Sequence, residues 1–272
     1  MIKLAAPDID NINLLNLIIS GKRKEDRLKL LEYQKDIMNR YGYYEENFDS
    51  LEKIKPETER WTEIHQALLG CYKSNGKAFK EAREKIMQTA GYKCPYCLLG
   101  ASDTLDHYFD KNAYPEFSVF APNLIPCCSR CNSIKGVNMF TEDNHRRYIH
   151  FYIDNITDQQ VLFVQFLADD GDIPKINIFL KDGVERLLEE HFNSLSLIKR
   201  YKHSLNEEIS EVIQKIQAYH KTGMAADDIK NLLIIEYKIL KGKYGINYWK
   251  ACIYDGLINS SEYMKIIVSD WK

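Results

Sequence analysis

Cys94-Pro-Tyr-Cys97 and Cys128-Ser-Arg-Cys131 are two CxxC pairs, and they constrain the chain more than any other feature. Four thiolates at such spacing can close a tetrahedral Zn²⁺ site, which leaves no position open for chemistry and acts as a structural clamp. Buried unliganded thiols are the alternative, and the paired spacing argues against it. Between the pairs lie Asp106-His107 and Asn123, with Asn132 directly after the last cysteine. A carboxylate beside an imidazole, with two amides, supplies the groups that bind a hard divalent cation and activate water.

The rest of the composition sets the frame. With 272 residues, 45% of them hydrophobic, the chain can bury one large core or two small ones. No N-terminal stretch reads as a signal peptide and no run approaches the roughly 20 apolar residues of a membrane span, so a cytoplasmic protein without membrane contact is expected. Seven cysteines do not argue for disulfides: four sit at metal spacing, Cys127 abuts a pair, and Cys71 and Cys252 stand alone on apolar faces. The formal net charge is −2. Proteins that grip nucleic acid unaided usually carry a basic excess, so any such affinity here is local or supplied by a partner.

Three zones follow. Residues 1–90 read as helical, with Leu28, Leu31, Ile37, Met38 and Tyr41, then Trp61, Ile64, Leu68 and Cys71, near helical spacing. A short helix over Phe79–Met87 is closed by Gly91. Residues 91–145 are rich in Cys, Pro, Asn and aromatics without helical period, as expected of a metal-stapled unit. Residues 146–272 open with strand-like runs, Tyr148–Ile153, Val161–Ala168 and Lys175–Leu180, which suggest a small antiparallel sheet. Helices resume after Gly183: one through Val184, Leu187, Leu188, Phe192 and Leu195, one opened by a Ser204/Glu207 capping box and buried through Ile209, Val212, Ile213 and Ile216, and one from Asp227 to Leu240 stopping near Gly242. The expected class is α+β, with helical flanks around a small zinc-stapled unit.

In order, the central segment reads CPYC, LDHYFDK, YPEF and NLIPCCSRCNSIKG. This order resembles the HNH endonucleases of the four-cysteine zinc type, whose ββα-metal unit carries a DH pair on one strand, an Asn on the next and the last motif residue on a helix. The resemblance covers about one fifth of the chain. It implies that Cys94, Cys97, Cys128 and Cys131 bind structural Zn²⁺, that His107 is the general base, that Asp106 and Asn132 hold a catalytic divalent metal, and that Asn123 fixes the loop and the imidazole. A narrower resemblance, of the DHY-x-x-K, YPEF and NLIPxCxxCN series, is to the HNH proteins of bacterial anti-phage systems of the Septu type. There the nuclease works with an ABC-type or SMC-like ATPase partner.

Elementary chemistry accommodates those roles. An imidazole with an ordinary pKa of ~6.5 can take a proton from water attacking a phosphodiester, and a cation can stabilise the charge that builds on the phosphate. Few protein ligands and several waters suit Mg²⁺ or Mn²⁺. Arg130 and Lys135 are candidates for phosphate contact, with a solvated helix face as the plain alternative. Glu116 reads as a loop acid ahead of a carboxylate supporting the metal site, Asp110 as a turn-capping acid ahead of an extra metal ligand where many HNH relatives carry proline, and His145-Arg146-Arg147 as salt-bridged surface ahead of a cluster that tracks a nucleic-acid backbone. The expected reaction is metal-dependent hydrolysis of DNA. The alternatives are a toxin-like ribonuclease and a non-catalytic zinc-binding interaction module.

Overall fold

The computed structural model describes residues 1–74, 76–167 and 175–268. Contacts divide the chain into two compact units, Lys3–Asn155 and a second built from Ile156–Lys272 together with Met1–Ile2. The N-terminal helices and the cysteine-rich segment thus belong to the same unit. Among the described residues the architecture is α+β, with two separate two-stranded antiparallel sheets.

In the unit Lys3–Asn155, α1 (Asn11–Ser20) opens on Asp10, whose carboxylate accepts from the Asn13 N–H at 2.9 Å. It buries Leu14, Leu15, Ile18 and Ile19. The expected helical stretch around Leu28–Tyr41 is two helices, α2 (Lys24–Glu32) and α3 (Gln34–Glu46), separated by Tyr33. Trp61 and Ile64 are buried in turns that lead into α4 (His65–Tyr72). α5 (Lys77–Thr89) ends at Ala90, and Gly91 follows with a φ of 54°, a conformation that suits glycine just past a helix.

β1 (Thr104–His107) and β2 (Leu124–Cys127) pair antiparallel, Thr104 opposite Cys127 and His107 opposite Leu124, and α6 (Ser129–Lys135) follows at once. The loop joining the strands carries the aromatic residues that fill this unit. Phe109, Phe117 and Phe120 are fully buried around Tyr44 of α3, whose ring stands edge-on to all three at 5.0–5.3 Å. Each such pair contributes about 0.5–1.5 kcal/mol beyond the burial itself.

Tyr148–Ile153 is not a strand. It is a buried turn: the N–H groups of Ile153 and Asp154 both return to the His150 carbonyl at 3.0 and 2.9 Å, and the Asp154 carboxylate takes the His150 N–H at 2.7 Å. A local acid thus competes successfully for backbone that alternation alone would assign to a ladder.

In the second unit, β3 (Leu162–Leu167) and β4 (Lys175–Leu180) pair antiparallel, with Leu162 opposite Leu180 and Leu167 opposite Lys175. The expected end of the first strand at Ala168 lies outside the described residues. Leu162, Val164 and Phe166 share the buried face of β3. α7 (Arg186–Ser194) leads into α8 (Leu197–Lys221), which runs unbroken through Ser204. The expected capping box there does not start a helix, because Leu197, Tyr201, Leu205, Ile209, Val212 and Ile216 form one buried stripe across it. α9 (Ala226–Tyr244) likewise passes Gly242 and stops at Gly245, whose φ is 87°. α10 (Trp249–Ile258) lies against β3, and α11 (Ser261–Ile267) closes the described chain.

Candidate functional site

The four sulfurs of Cys94, Cys97, Cys128 and Cys131 lie within 4.8 Å of one another, and all four residues are buried. A tetrahedral ion with ~2.3 Å metal–sulfur bonds sets its ligands ~3.8 Å apart. Cys97 Sγ and Cys128 Sγ are 3.8 Å apart, and all the cysteines are free thiols. The first pair is shaped by a tight loop: the Leu98 N–H returns to the Cys94 carbonyl at 2.8 Å, Leu98 takes a φ of 52°, and the Leu99 N–H points at Cys97 Sγ at 3.5 Å. In the second pair Cys128 is the N-cap of α6, its sulfur accepting from the Cys131 N–H. Hydrogen bonds within the group, from Cys131 first, pull the Cys128 thiol down to about 6, while those to Cys128 push Cys94 up. Four crowded sulfurs cannot all ionise without a cation among them. This group can hold a metal ion.

The strand next to the clamp carries Asp106 and His107 on opposite faces, as consecutive strand residues must. On one face, His107 Nε2 lies 3.0 Å from the carbonyl oxygen of Ser118. A carbonyl only accepts, so Nε2 bears the proton and Nδ1 is left as the acceptor. Among the described residues nothing bonds to Nδ1. The ring of Tyr72 meets the imidazole edge-on at 4.3 Å. Burial pushes His107 down to about 3, and Lys111, Lys135 and Arg83 add repulsion. The imidazole is therefore neutral at any ordinary pH.

On the other face, α6 docks through two polar contacts. Asn132 donates its amide to Thr104 Oγ1 at 3.2 Å, and Lys135, one helical turn on, places its ammonium 3.1 Å from both Asp106 oxygens. The Tyr96 hydroxyl, from within the first CxxC pair, donates to Asp106 at 2.8 Å. As they stand, Asp106 and Asn132 do not fit an open Mg²⁺ or Mn²⁺ site: the carboxylate is 2% exposed and already carries an ammonium and a phenol. Lys135 is correspondingly not a phosphate-contacting or solvated helix residue, being 1% exposed. Arg130 is exposed on α6.

Asn123 is fully buried and staples the interstrand loop. Its side chain accepts from the Phe109 N–H at 2.8 Å and donates to the carbonyls of Phe109 and Phe117 at 3.1 and 3.3 Å. It does not touch the imidazole. By fixing Phe117 it fixes the adjoining Ser118 carbonyl that does.

No family model matches the chain, and no solved structure matches it. It is similar to protein ea31 of Escherichia phage lambda, 25% identical over 199 residues, an alignment covering 67% of each chain.

Several residues around this site escape sequence reasoning. Ser118 acts through its backbone. Arg83 and Lys111 lie over the Tyr72 ring, 4.4 and 5.1 Å from its centroid, and among the described residues neither is in an ion pair. Lys111 stands four residues after His107 in LDHYFDK, the one signal that could have marked it. Glu116 is not a loop acid in water: it is wholly buried against Arg40, Nε to Oε1 at 2.9 Å, and Arg40 also donates to the Lys55 carbonyl. Asp110 caps its turn, accepting from the N–H groups of Asn112 and Ala113. Arg146 is spent on Asp154 through two 2.8 Å bonds. Among the described residues, no helix is long and apolar enough to cross a membrane.

Proposed function

We propose that this chain is an HNH-type nuclease that hydrolyses phosphodiester bonds, with His107 as general base and Zn²⁺ bound by Cys94, Cys97, Cys128 and Cys131 as its structural clamp. The observation that carries the reading is the tautomer of His107. A backbone carbonyl holds the proton on Nε2 and leaves Nδ1 its lone pair, and the Tyr72 ring that meets the imidazole also carries Lys111 and Arg83, which are in no ion pair among the described residues. The order β1, β2, α6 with the sulfur group at its base agrees with the resemblance carried by the DH, Asn and CxxCN residues.

The chemistry follows from those groups. Phosphate oxygens are drawn to Lys111 and Arg83, which provides local affinity in a chain whose net charge is −2. The bound anion counters the burial that depresses His107 and so raises the basicity of Nδ1. Nδ1 accepts a proton from water as its oxygen bonds to phosphorus; the opposite P–O bond breaks, the leaving oxygen takes a proton from solvent to become a hydroxyl, a phosphate monoester remains, and the imidazolium returns its proton to solvent. The zinc, once bound, supplies rigidity and no open coordination position. DNA is the favoured substrate, by resemblance. The anti-phage setting and the ABC-type or SMC-like ATPase partner rest on the narrower resemblance, and co-purification with the products of neighbouring genes tests them.

The deciding experiment is digestion of plasmid DNA and of total RNA by the zinc-loaded protein and by His107→Ala, with Mg²⁺, Mn²⁺ or EDTA. DNA cleavage that disappears in the variant supports the reading. Cleavage of RNA alone makes the protein a ribonuclease, and cleavage by neither protein makes it a zinc-bound interaction module.

A further inference from the structure

Asp106 is the carboxylate that the motif marks for a divalent cation, and its cation is already part of the chain. Lys135 donates to Asp106 Oδ1 at 3.1 Å and to the carbonyl oxygen of His107 at 2.9 Å, and Asp106 Oδ2 lies at 3.1 Å in the ion pair. The Tyr96 hydroxyl takes up a further direction on the carboxylate. The two charged side chains are 2% and 3% exposed, so neither shares its charge with water. Two rings, Tyr108 and Tyr148, each stand 5.9 Å from the ammonium, with faces that favour a cation. The placement is built in: Asn132 and Lys135 lie three apart on α6, facing Thr104 and Asp106, two apart on one face of β1.

We infer that Lys135 occupies the cation position of Asp106, so that a resident ammonium excludes Mg²⁺ and Mn²⁺ from this carboxylate. A magnesium ion needs oxygens at ~2.0–2.1 Å in an octahedral shell that keeps several waters. An ammonium equidistant from both oxygens fills that space, and its like charge opposes a second cation beside it. The inference deepens the nuclease reading by assigning the electrostatic partner of Asp106. Its readout is metal binding and not cleavage, so the two can fail separately.

The test is a Mn²⁺ titration of the full chain with its cysteine site loaded with zinc, followed by the electron paramagnetic resonance signal of free Mn²⁺. Wild type and Asp106→Asn are expected to bind Mn²⁺ equally, since the carboxylate is closed to it. Lys135→Ala is expected to gain a site at least about tenfold tighter than anything in the wild type, lost again when Asp106→Asn is added. Lys135→Gln, which keeps a hydrogen-bond donor toward Asp106, serves if the alanine variant does not fold. Wild-type binding that Asp106→Asn abolishes would overturn the inference, as would a folded lysine variant that gains no site. The comparison of wild type with Asp106→Asn needs no lysine variant to fold.

Discussion

The carbonyl oxygen of Ser118 receives the Nε2 proton of His107 at 3.0 Å, so a backbone group eleven residues along the chain decides which imidazole nitrogen is free to act as a base. Because the proton sits on the nitrogen bonded to Ser118, Nδ1 keeps the lone pair that the proposed mechanism needs. His107→Ala is expected to lower cleavage by ~10²–10⁴-fold while zinc content and circular dichroism stay native. kcat/KM, which reports the substrate-free protein, should also show no acid limb near pH 6.5, because burial holds His107 down to about 3.

Lys111→Ala and Arg83→Ala should weaken substrate binding more than turnover. Each removes one cation from beside the Tyr72 ring that meets the imidazole. KM is expected to rise, and the slope of log K against log salt to fall by about one per lost phosphate contact, measured by fluorescence anisotropy on short duplexes.

Acid should destabilise the unit Lys3–Asn155 earlier than its carboxylates alone would. His107 and His150 are both depressed to about 3 by burial, below the ordinary value of 6.5. Between those values the unfolded chain binds the extra protons, so this stability is complete above about pH 6.5 and drains away as pH falls toward 3. Each histidine accounts for a few kcal/mol on the order of its shift. Urea denaturation at pH 7, 5.5 and 4.5 should show the decline, and His150→Gln should flatten it.

Cys94→Ser or Cys131→Ser should lose metal and fold together, since ligand geometry and local folding are one equilibrium. One zinc per chain is expected by elemental analysis of the wild type. Either variant should melt at least about 10 °C lower.

Arg40→Met should cost about 3–5 kcal/mol, because it strands the fully buried Glu116 carboxylate. Adding Glu116→Leu should recover a substantial part of that loss in a double-mutant cycle. Simple additivity would mean the pair is not coupled. In the other unit, Gly256→Ala should cost ~1–3 kcal/mol, since its new methyl would stand 2.2 Å from the Val164 carbonyl on β3.

How much of this was legible depended on whether a residue's partner lay nearby in sequence. The CxxC pairs each define a local loop, so spacing alone brings the two sulfurs of each pair together, and the two pairs meet across 31 positions because two such pairs complete one four-sulfur site. β4 runs over Lys175–Leu180 as its composition suggests, and Asp110 caps its turn because its partners are two and three residues away. The failures all have distant or backbone partners. Glu116 finds Arg40 across 76 positions, Lys135 finds Asp106 across 29, and the His107 tautomer depends on a carbonyl that no side chain announces. Ser204/Glu207 has the local signature of a helix start, but a buried stripe continuing from Leu197 overrides it. Tyr148–Ile153 has strand composition, but Asp154 folds its backbone into a turn.

Tyr96 is flanked by two of the metal-site sulfurs, at Cys94 and Cys97, and its hydroxyl ends on Asp106. The phenol is therefore a mechanical linkage between redox-sensitive chemistry and the charge balance of the strand. Oxidising the thiols, or chelating an ion held by them, is expected to loosen the loop that carries that ring, and with it a hydrogen bond to a carboxylate that no reagent has touched. Damage at the sulfurs would then reach a residue ten positions away, beside the imidazole.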